Sequence, residues 1–387
     1  MKKKQTSLQL ILITLFWLIQ YIHVPFQVIF LSENGVSLEV IGQIVGIYGL
    51  AQLFLRLPVG IGADRKINHR VFIITGLACA GLGTFLRFAS PTATGFLVAN
   101  MLSGAGSAMW VCFMVHYMSY FGQEEQQIAT GKLIFANTLG IMLAFLTATF
   151  FYPILGLRLL ALIGFLFSIV GVLLGLRLEK SPDKFIIPSV GSLLGVISQK
   201  KLLIFSLLAL VQQGIQMSTV MSFTTQVIRQ LGGGNALVGW STIIFMVSSA
   251  VSAKLSTWSF FNRYFKKSLV VASLFLLTAL YSFVVVHTGN WGVLLVLQII
   301  PGLSAGVMLP MLISESMDGV SPEKRSTAMG YFQSIYALGM VLFPFVSGLI
   351  SESRGLPSAF LFLLSAALVG AVVSMIYYYG GKMSHGN

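Results

Sequence analysis

About twelve times along this chain of 387 residues, an apolar window of some 20 residues ends at a short polar or glycine-bearing stretch. A helix of that length covers roughly 30 Å of hydrocarbon. A bilayer core offers no partner to a free amide, so each window must close its own hydrogen bonds as a helix. The chain is therefore expected to be an all-α integral membrane protein with twelve transmembrane helices. Their approximate limits are 7–31, 39–61, 70–90, 95–120, 127–152 and 156–178, then 201–227, 237–260, 267–287, 290–314, 325–350 and 357–379. Only 9% of the residues are charged against 56% hydrophobic, which excludes an ordinary soluble domain.

Lys and Arg accumulate on cytoplasmic loops. With the N-terminus inside, 18 of the 24 basic residues fall on that side, and only Arg87, Arg158, Arg229 and Arg354 fall outside. Both termini are thus expected in the cytoplasm, and the protein in the cell membrane. The same bias accounts for the net charge of +13, which then gives no reason to expect a nucleic-acid partner. Lys2 to Lys4 ahead of an apolar run imitate a signal peptide, but that run is about 24 residues long and lacks a small-residue cleavage site. It reads as a retained first helix. Cys79 and Cys112 lie inside apolar windows, and no metal-ligand spacing, phosphate loop or Ser-His-Asp pattern is visible. No metal, cofactor or enzymatic activity is expected.

The longest polar stretch, 177–201, divides the chain into a bundle over 1–178, a cytoplasmic linker over 179–200 and a bundle over 201–387. The middle of this stretch, 185–197, suits either a surface-lying amphipathic helix or a plain linker. The two halves repeat one another. GIGADRKINHR at 60–70 returns as WSFFNRYFKKS at 258–268, so that Asp64 and Arg65 map onto Asn262 and Arg263, an offset of 198 (262 − 64). At the same offset Arg56 maps onto Lys254, and Asn100, Gly104 and Gly106 map onto Gln298, Gly302 and Ser304. Gly131 and Gly140 match Gly330 and Gly339 one residue later. A shared register marks a duplicated unit. In a membrane protein, two similar halves imply a solute site at their interface and alternating access to it.

These features together resemble the major facilitator superfamily, whose members carry G-x-x-x-D-R-x-G-R-R between the second and third of twelve helices. Gly60, Asp64 and Arg65 match, while Ile67, Asn68 and His69 depart from the second glycine and the basic pair, for which Arg70 stands one residue later. The second copy keeps Arg263, Lys266 and Lys267 but has Asn262 in place of the acid. SPEKRSTAMG, with Pro322, Arg325 and Gly330, resembles the family pattern after the tenth helix. The resemblance covers essentially the whole chain and implies a transporter whose twelve helices form two pseudo-symmetric six-helix bundles around a central cavity.

In physical terms, Asp64 could accept hydrogen bonds from the start of the eleventh helix near Arg325, where the macrodipole favours an anion. That contact would latch the halves. Arg65 and Arg263 could pair with acids at the ends of the fourth and tenth helices, with Glu315 or Asp318 as candidates. Asn262 cannot form a charged latch. Proton-coupled members often have an arginine where this chain has Asn100, many drug antiporters have a Gly-Pro motif that its fifth helix lacks, and none of its 11 acids lies at mid-membrane.

Arg56 and Lys254 are the sharpest pointers to cargo, because a charge inside a span is costly and by default marks a site. Tyr48, Gln52 and Arg56 recur every four residues and share a helix face. A cationic pair across a cavity would suit a carboxylate or phosphate; snorkelling of both side chains to the interface is the alternative. Other polar residues form stripes at helical spacing: Trp17, Gln20, Tyr21 and Gln27; Asn100, Ser103, Ser107, Trp110 and Tyr117; Gln212, Gln216 and Gln226. Asn137, Gln298, Tyr331 and Ser334 add to them. Such groups can bind a polar solute or join helices in lipid. His23 and His116 are the candidates for proton coupling.

The expected function is a secondary transporter, a monomer in the lipid bilayer, moving a small polar and anionic organic solute between Arg56 and Lys254. A coupling proton or ion is left open. The alternative is an exporter of amphipathic or drug-like compounds, which 12% aromatic residues and 16 Met would favour. A sensor without flux is a third class.

Overall fold

The computed structural model describes residues 2–64, 68–121, 126–179, 198–256, 267–320 and 325–383. Among these, every regular element is a helix. Eleven stretches are long and apolar enough to cross a membrane, and one of them, Lys132–Gly175, runs for 44 residues. At 1.5 Å per residue that is about two bilayer cores. The helix Gln126–Gly175 containing it turns at Gly156, where φ is 68° and ψ is 175°, a backbone conformation that glycine takes at little cost. The stretch is therefore the fifth and sixth spans, and the total is twelve. The fold is an all-α membrane fold of two bundles.

The first span is Lys2–Tyr21 followed by Val24–Glu33, interrupted where Pro25 removes a backbone donor. The second is Leu38–Asp64 and the third His69–Ala89. The fourth is Ala93–Ala108 and Trp110–Met118, broken at Met109. The seventh, Lys200–Ser218 and Thr224–Gln230, is joined by a π turn at Thr219–Phe223. The eighth is Asn235–Ser256 and the ninth Lys267–His287. The tenth runs from Trp291 to Met317 with a π turn at Ser304–Met308. The eleventh is Arg325–Arg354 and the twelfth Leu356–Met383.

The repeat seen in the sequence is a repeat of packing. Gly104 brings the fourth helix against the second so closely that a Cβ there would meet the Tyr48 carbonyl at 2.3 Å and Ala51 at 2.8 Å. Gly302 brings the tenth against the eighth, with Ser248 at 2.5 Å and the Phe245 carbonyl at 2.8 Å. Small residues let helices approach in lipid, where there is no hydrophobic drive between them. The helix breaks repeat as well. The π turns at Thr219–Phe223 and Ser304–Met308 fall, at the offset of 198, on the interruptions near Ile22 and Met109.

Contacts between the halves gather on the side away from the termini. Arg229 pairs with Glu33 at 2.6 Å, Gln226 donates to Ser32 Oγ at 2.9 Å, and the Leu38 amide donates to Glu352 at 2.9 Å. One of the charges assigned above to the outer loops does not belong there. Arg87 is 1% exposed and turns inward to Asn100 and Ser103 rather than out to water.

Candidate functional site

The two breaks nearest the centre face each other. Val24–Glu33 packs on the π turn of the seventh helix, and beside them lies a cleft whose empty space, with the part open to solvent, is about 420 Å³. The first helix supplies Gln20, Tyr21, His23, Val24 and Gln27; the second, Val45 and Tyr48; the fourth, Asn100 and Ser103; the seventh, Met217 and Met221. An interrupted helix frees backbone groups and re-aims side chains, which is why binding sites in membranes favour such breaks.

The wall is held by hydrogen bonds across helices. Gln20 Nε2 donates to the Ser103 carbonyl at 2.8 Å and to Ser107 Oγ at 3.0 Å, while Tyr48 Oη lies 2.7 Å from Ser107 Oγ. Asn100 Nδ2 donates to the Ile44 carbonyl at 2.6 Å. Gln20 Oε1, Gln27 Oε1 and His23 Nδ1 are buried without a protein partner. Trp17 packs between Tyr21 and Trp110 and extends the aromatic side of the cavity.

Two turns along the second helix from Tyr48, Arg56 is 6% exposed. Its Nη1 donates to Tyr336 Oη of the eleventh helix at 2.7 Å, its Nη2 donates to Gln52 Oε1, and the guanidinium carbon sits 5.1 Å from the Tyr336 ring centroid. Nε has no partner, and no carboxylate among the described residues forms an ion pair with this side chain. Tyr336 and Gln333, whose carbonyl lies 3.5 Å from Nη1, escaped the sequence reading because they stand on a helix whose neighbour is 277 residues away.

Several expected site residues lie elsewhere. Lys254 is exposed on the eighth helix while Arg56 is buried, so the two do not form a symmetric pair. Gln212 bonds Gln216 and Ser304 at 2.9 and 3.4 Å, and Gln298 bonds Tyr281 and the Leu294 carbonyl, so these amides join helices of the second half. Asn137, Tyr331 and Ser334 are half-buried outside the cavity wall. His116 is not at the cavity. Its Nδ1 lies 2.7 Å from Gln9 Oε1 and its Nε2 3.0 Å from the Glu179 carbonyl, a clasp between the first helix, the fourth and the end of the sixth.

Of the latch, Arg65, Asn262 and Arg263 lie outside the described residues, as does 185–197; Gly60, Asp64 and Arg325 are described as helical backbone. Glu315 and Asp318, the acids expected opposite Arg263, are 3.4 and 2.6 Å from Lys201 Nζ at the start of the seventh helix. Met217, Met221 and Val45 in the cavity wall were missed because apolar side chains in an apolar helix carry no signal of their own.

The model of the Major Facilitator Superfamily matches residues 10–258 and 205–385. The chain is similar to "Proton-coupled antiporter flippase LtaA" of Staphylococcus haemolyticus, 22% identical over 338 residues that cover 82% of this chain and 81% of that one. It is 28% identical over 130 residues to "Uncharacterized transporter BU466" of Buchnera aphidicola, where the match spans about a third of either chain. Among solved structures, a single-residue mutant of the nucleoside transporter NupG superposes with a TM-score of 0.79 at 17% identity, over 97% of this chain and 99% of that one. A bacterial homolog of the human lysosomal transporter Spinster, inward-facing and unoccupied, superposes with a TM-score of 0.78 at 13% identity, over 97% and 96%.

Proposed function

This chain belongs to the Major Facilitator Superfamily, and from that premise we propose that it is a secondary transporter of a small polar, anionic organic solute across the cytoplasmic membrane. The bundles over 1–178 and 201–387 rock about the cavity, joined by 179–200, with both termini cytoplasmic. The observation that carries the anion is Arg56. A guanidinium buried at membrane depth is expensive unless an opposite charge meets it, at least transiently. Among the described residues no carboxylate does so. A carboxylate or phosphate passing between the second and eleventh helices would take the free Nε. Gln20 Oε1, whose amide is oriented by its two donated bonds, calls for a hydroxyl or amine donor on the same solute.

Purified protein should be screened for thermal stabilisation by carboxylates and phosphates, since a ligand of the folded state raises its melting temperature. The hits should then be followed as flux into proteoliposomes. Arg56→Ala should abolish uptake of the anion.

A second reading, export of amphipathic compounds, draws on the Met217 and Met221 side of the cavity, which can repack around varied ligands, and on the likeness to a protein named as a flippase over most of both chains. Under that reading Arg56→Ala leaves efflux of varied neutral or cationic compounds unchanged, an outcome that sinks the first.

A further inference from the structure

Arg87 is among the largest fully buried side chains of the described residues. It stands two residues from the end of the third helix, where snorkelling to the interface would be easy. Instead its Nη2 donates to Asn100 Oδ1 and, at 3.1 Å, to Ser103 Oγ. Nε and Nη1 have no partner. Among the described residues no carboxylate forms an ion pair with it, and the guanidinium is enclosed by protein. Both residues that hold it belong to the cavity wall, where His23 Nδ1 is also without a partner.

We propose that Arg87 makes the cavity selective for anions, acting from behind the wall formed by Asn100 and Ser103. This rests on the reading above that the cavity takes the solute, and it adds a second cationic pole beyond Arg56. The physical reason is the field. A buried positive charge a few ångströms behind a wall of low polarisability raises the local concentration of anions and opposes cations. Asn100 fixes the geometry, since its Oδ1 accepts from Arg87 while its Nδ2 donates to the Ile44 carbonyl. The side chain is thereby oriented, and the guanidinium is held against the wall. Arg87 is a specificity-determining residue that acts through others.

The field can be measured without knowing the solute. Met221 lines the cavity and is half-buried, so Met221→Cys, combined with Cys79→Ala and Cys112→Ala, places the sole thiol there. In lipid nanodiscs its rates with the anionic sulfonatoethyl and the cationic trimethylammonioethyl methanethiosulfonates are each divided by the rate with a free thiol. The neutral methyl reagent serves as the access control. The expected normalised anion-to-cation ratio is about tenfold or more. Arg87→Gln should bring it near one, and Arg87→Lys should keep it.

A ratio near or below one with Arg87 intact overturns the proposal, whether or not the Arg87 variants fold. So does a ratio that survives Arg87→Gln, a thiol reached by the neutral reagent alone, or one reached by none. Arg56→Gln separates the two readings. If it lowers the ratio and Arg87→Gln does not, the earlier reading stands and this one falls. If Arg87→Gln lowers it while Arg56→Ala leaves transport of the anion intact, the reverse holds.

Discussion

Arg56 of the second helix donates a 2.7 Å hydrogen bond to Tyr336 of the eleventh, and so ties the first half of the chain to the second at the only residue pair where a buried cation of one described half meets a phenol of the other. A charge-assisted bond of this kind contributes about 1.5–3 kcal/mol. Tyr336→Phe should keep the fold, lower the thermal stability of this arrangement, and favour separation of the second and eleventh helices. Cysteine labelling along the eleventh helix should then speed up by at least about fivefold; unchanged rates would show that the bond does not hold the halves.

Glu33 and Arg229 join the halves on the side away from the termini, but both are partly exposed, at 47% and 29% of their side-chain surface. Exposed pairs contribute about 0–1 kcal/mol and are screened by salt. Arg229→Ala should therefore shift the balance of conformations by less than about fivefold at low salt and not measurably at about 1 M salt. Accessibility of thiols on that side checks this, and a large salt-independent shift would contradict it.

Gly104→Ala and Gly302→Ala should each destabilise by about 1–3 kcal/mol, because a Cβ at either position meets backbone or β-carbon atoms at under 3 Å that cannot swing away. Gly330, inside the eleventh helix, has nothing within 4 Å of where its Cβ would lie. Gly330→Ala should leave the melting temperature unchanged or raise it. Equal losses at all three sites would mean that the shared packing register is not what matters.

For transport driven by a pH gradient, the imidazole to test is His23 and not His116. His23 lines the cavity with Nδ1 unpartnered, whereas His116 stands away from it, 2.7 Å from Gln9 Oε1 and 3.0 Å from the Glu179 carbonyl. His23→Gln should flatten the pH dependence of uptake. His116→Ala should keep that dependence and cost about 1–3 kcal/mol of stability, since it strands Gln9 Oε1. The opposite pattern would reverse the assignment.

The break at Gly156 shows how local chemistry reached the structure intact. The boundary between the fifth and sixth windows was legible from the sequence, and it fell where glycine alone permits the turn. The helices themselves, their number and the internal repeat were legible for a similar reason. Hydrocarbon forces every span to satisfy its own backbone, so length and apolarity suffice. The repeated glycines kept their register because each must fit a neighbouring helix, and Gly104 and Gly302 fit equivalent neighbours.

Which polar groups share a cavity was decided only in three dimensions. Arg56 and Lys254 sit at equivalent places in the repeat, yet one is buried against Tyr336 and the other exposed, because a duplicated sequence does not oblige its halves to take the same neighbours. Arg87 counted as a loop charge when only its distance along the chain was known. The short connection between the third and fourth helices lays Asn100 and Ser103 against it, a contact that no distance along the chain reveals. Helical periodicity states which face a residue occupies, but not what the face meets. In a bilayer, where almost every surface is apolar, packing alone selects the partner.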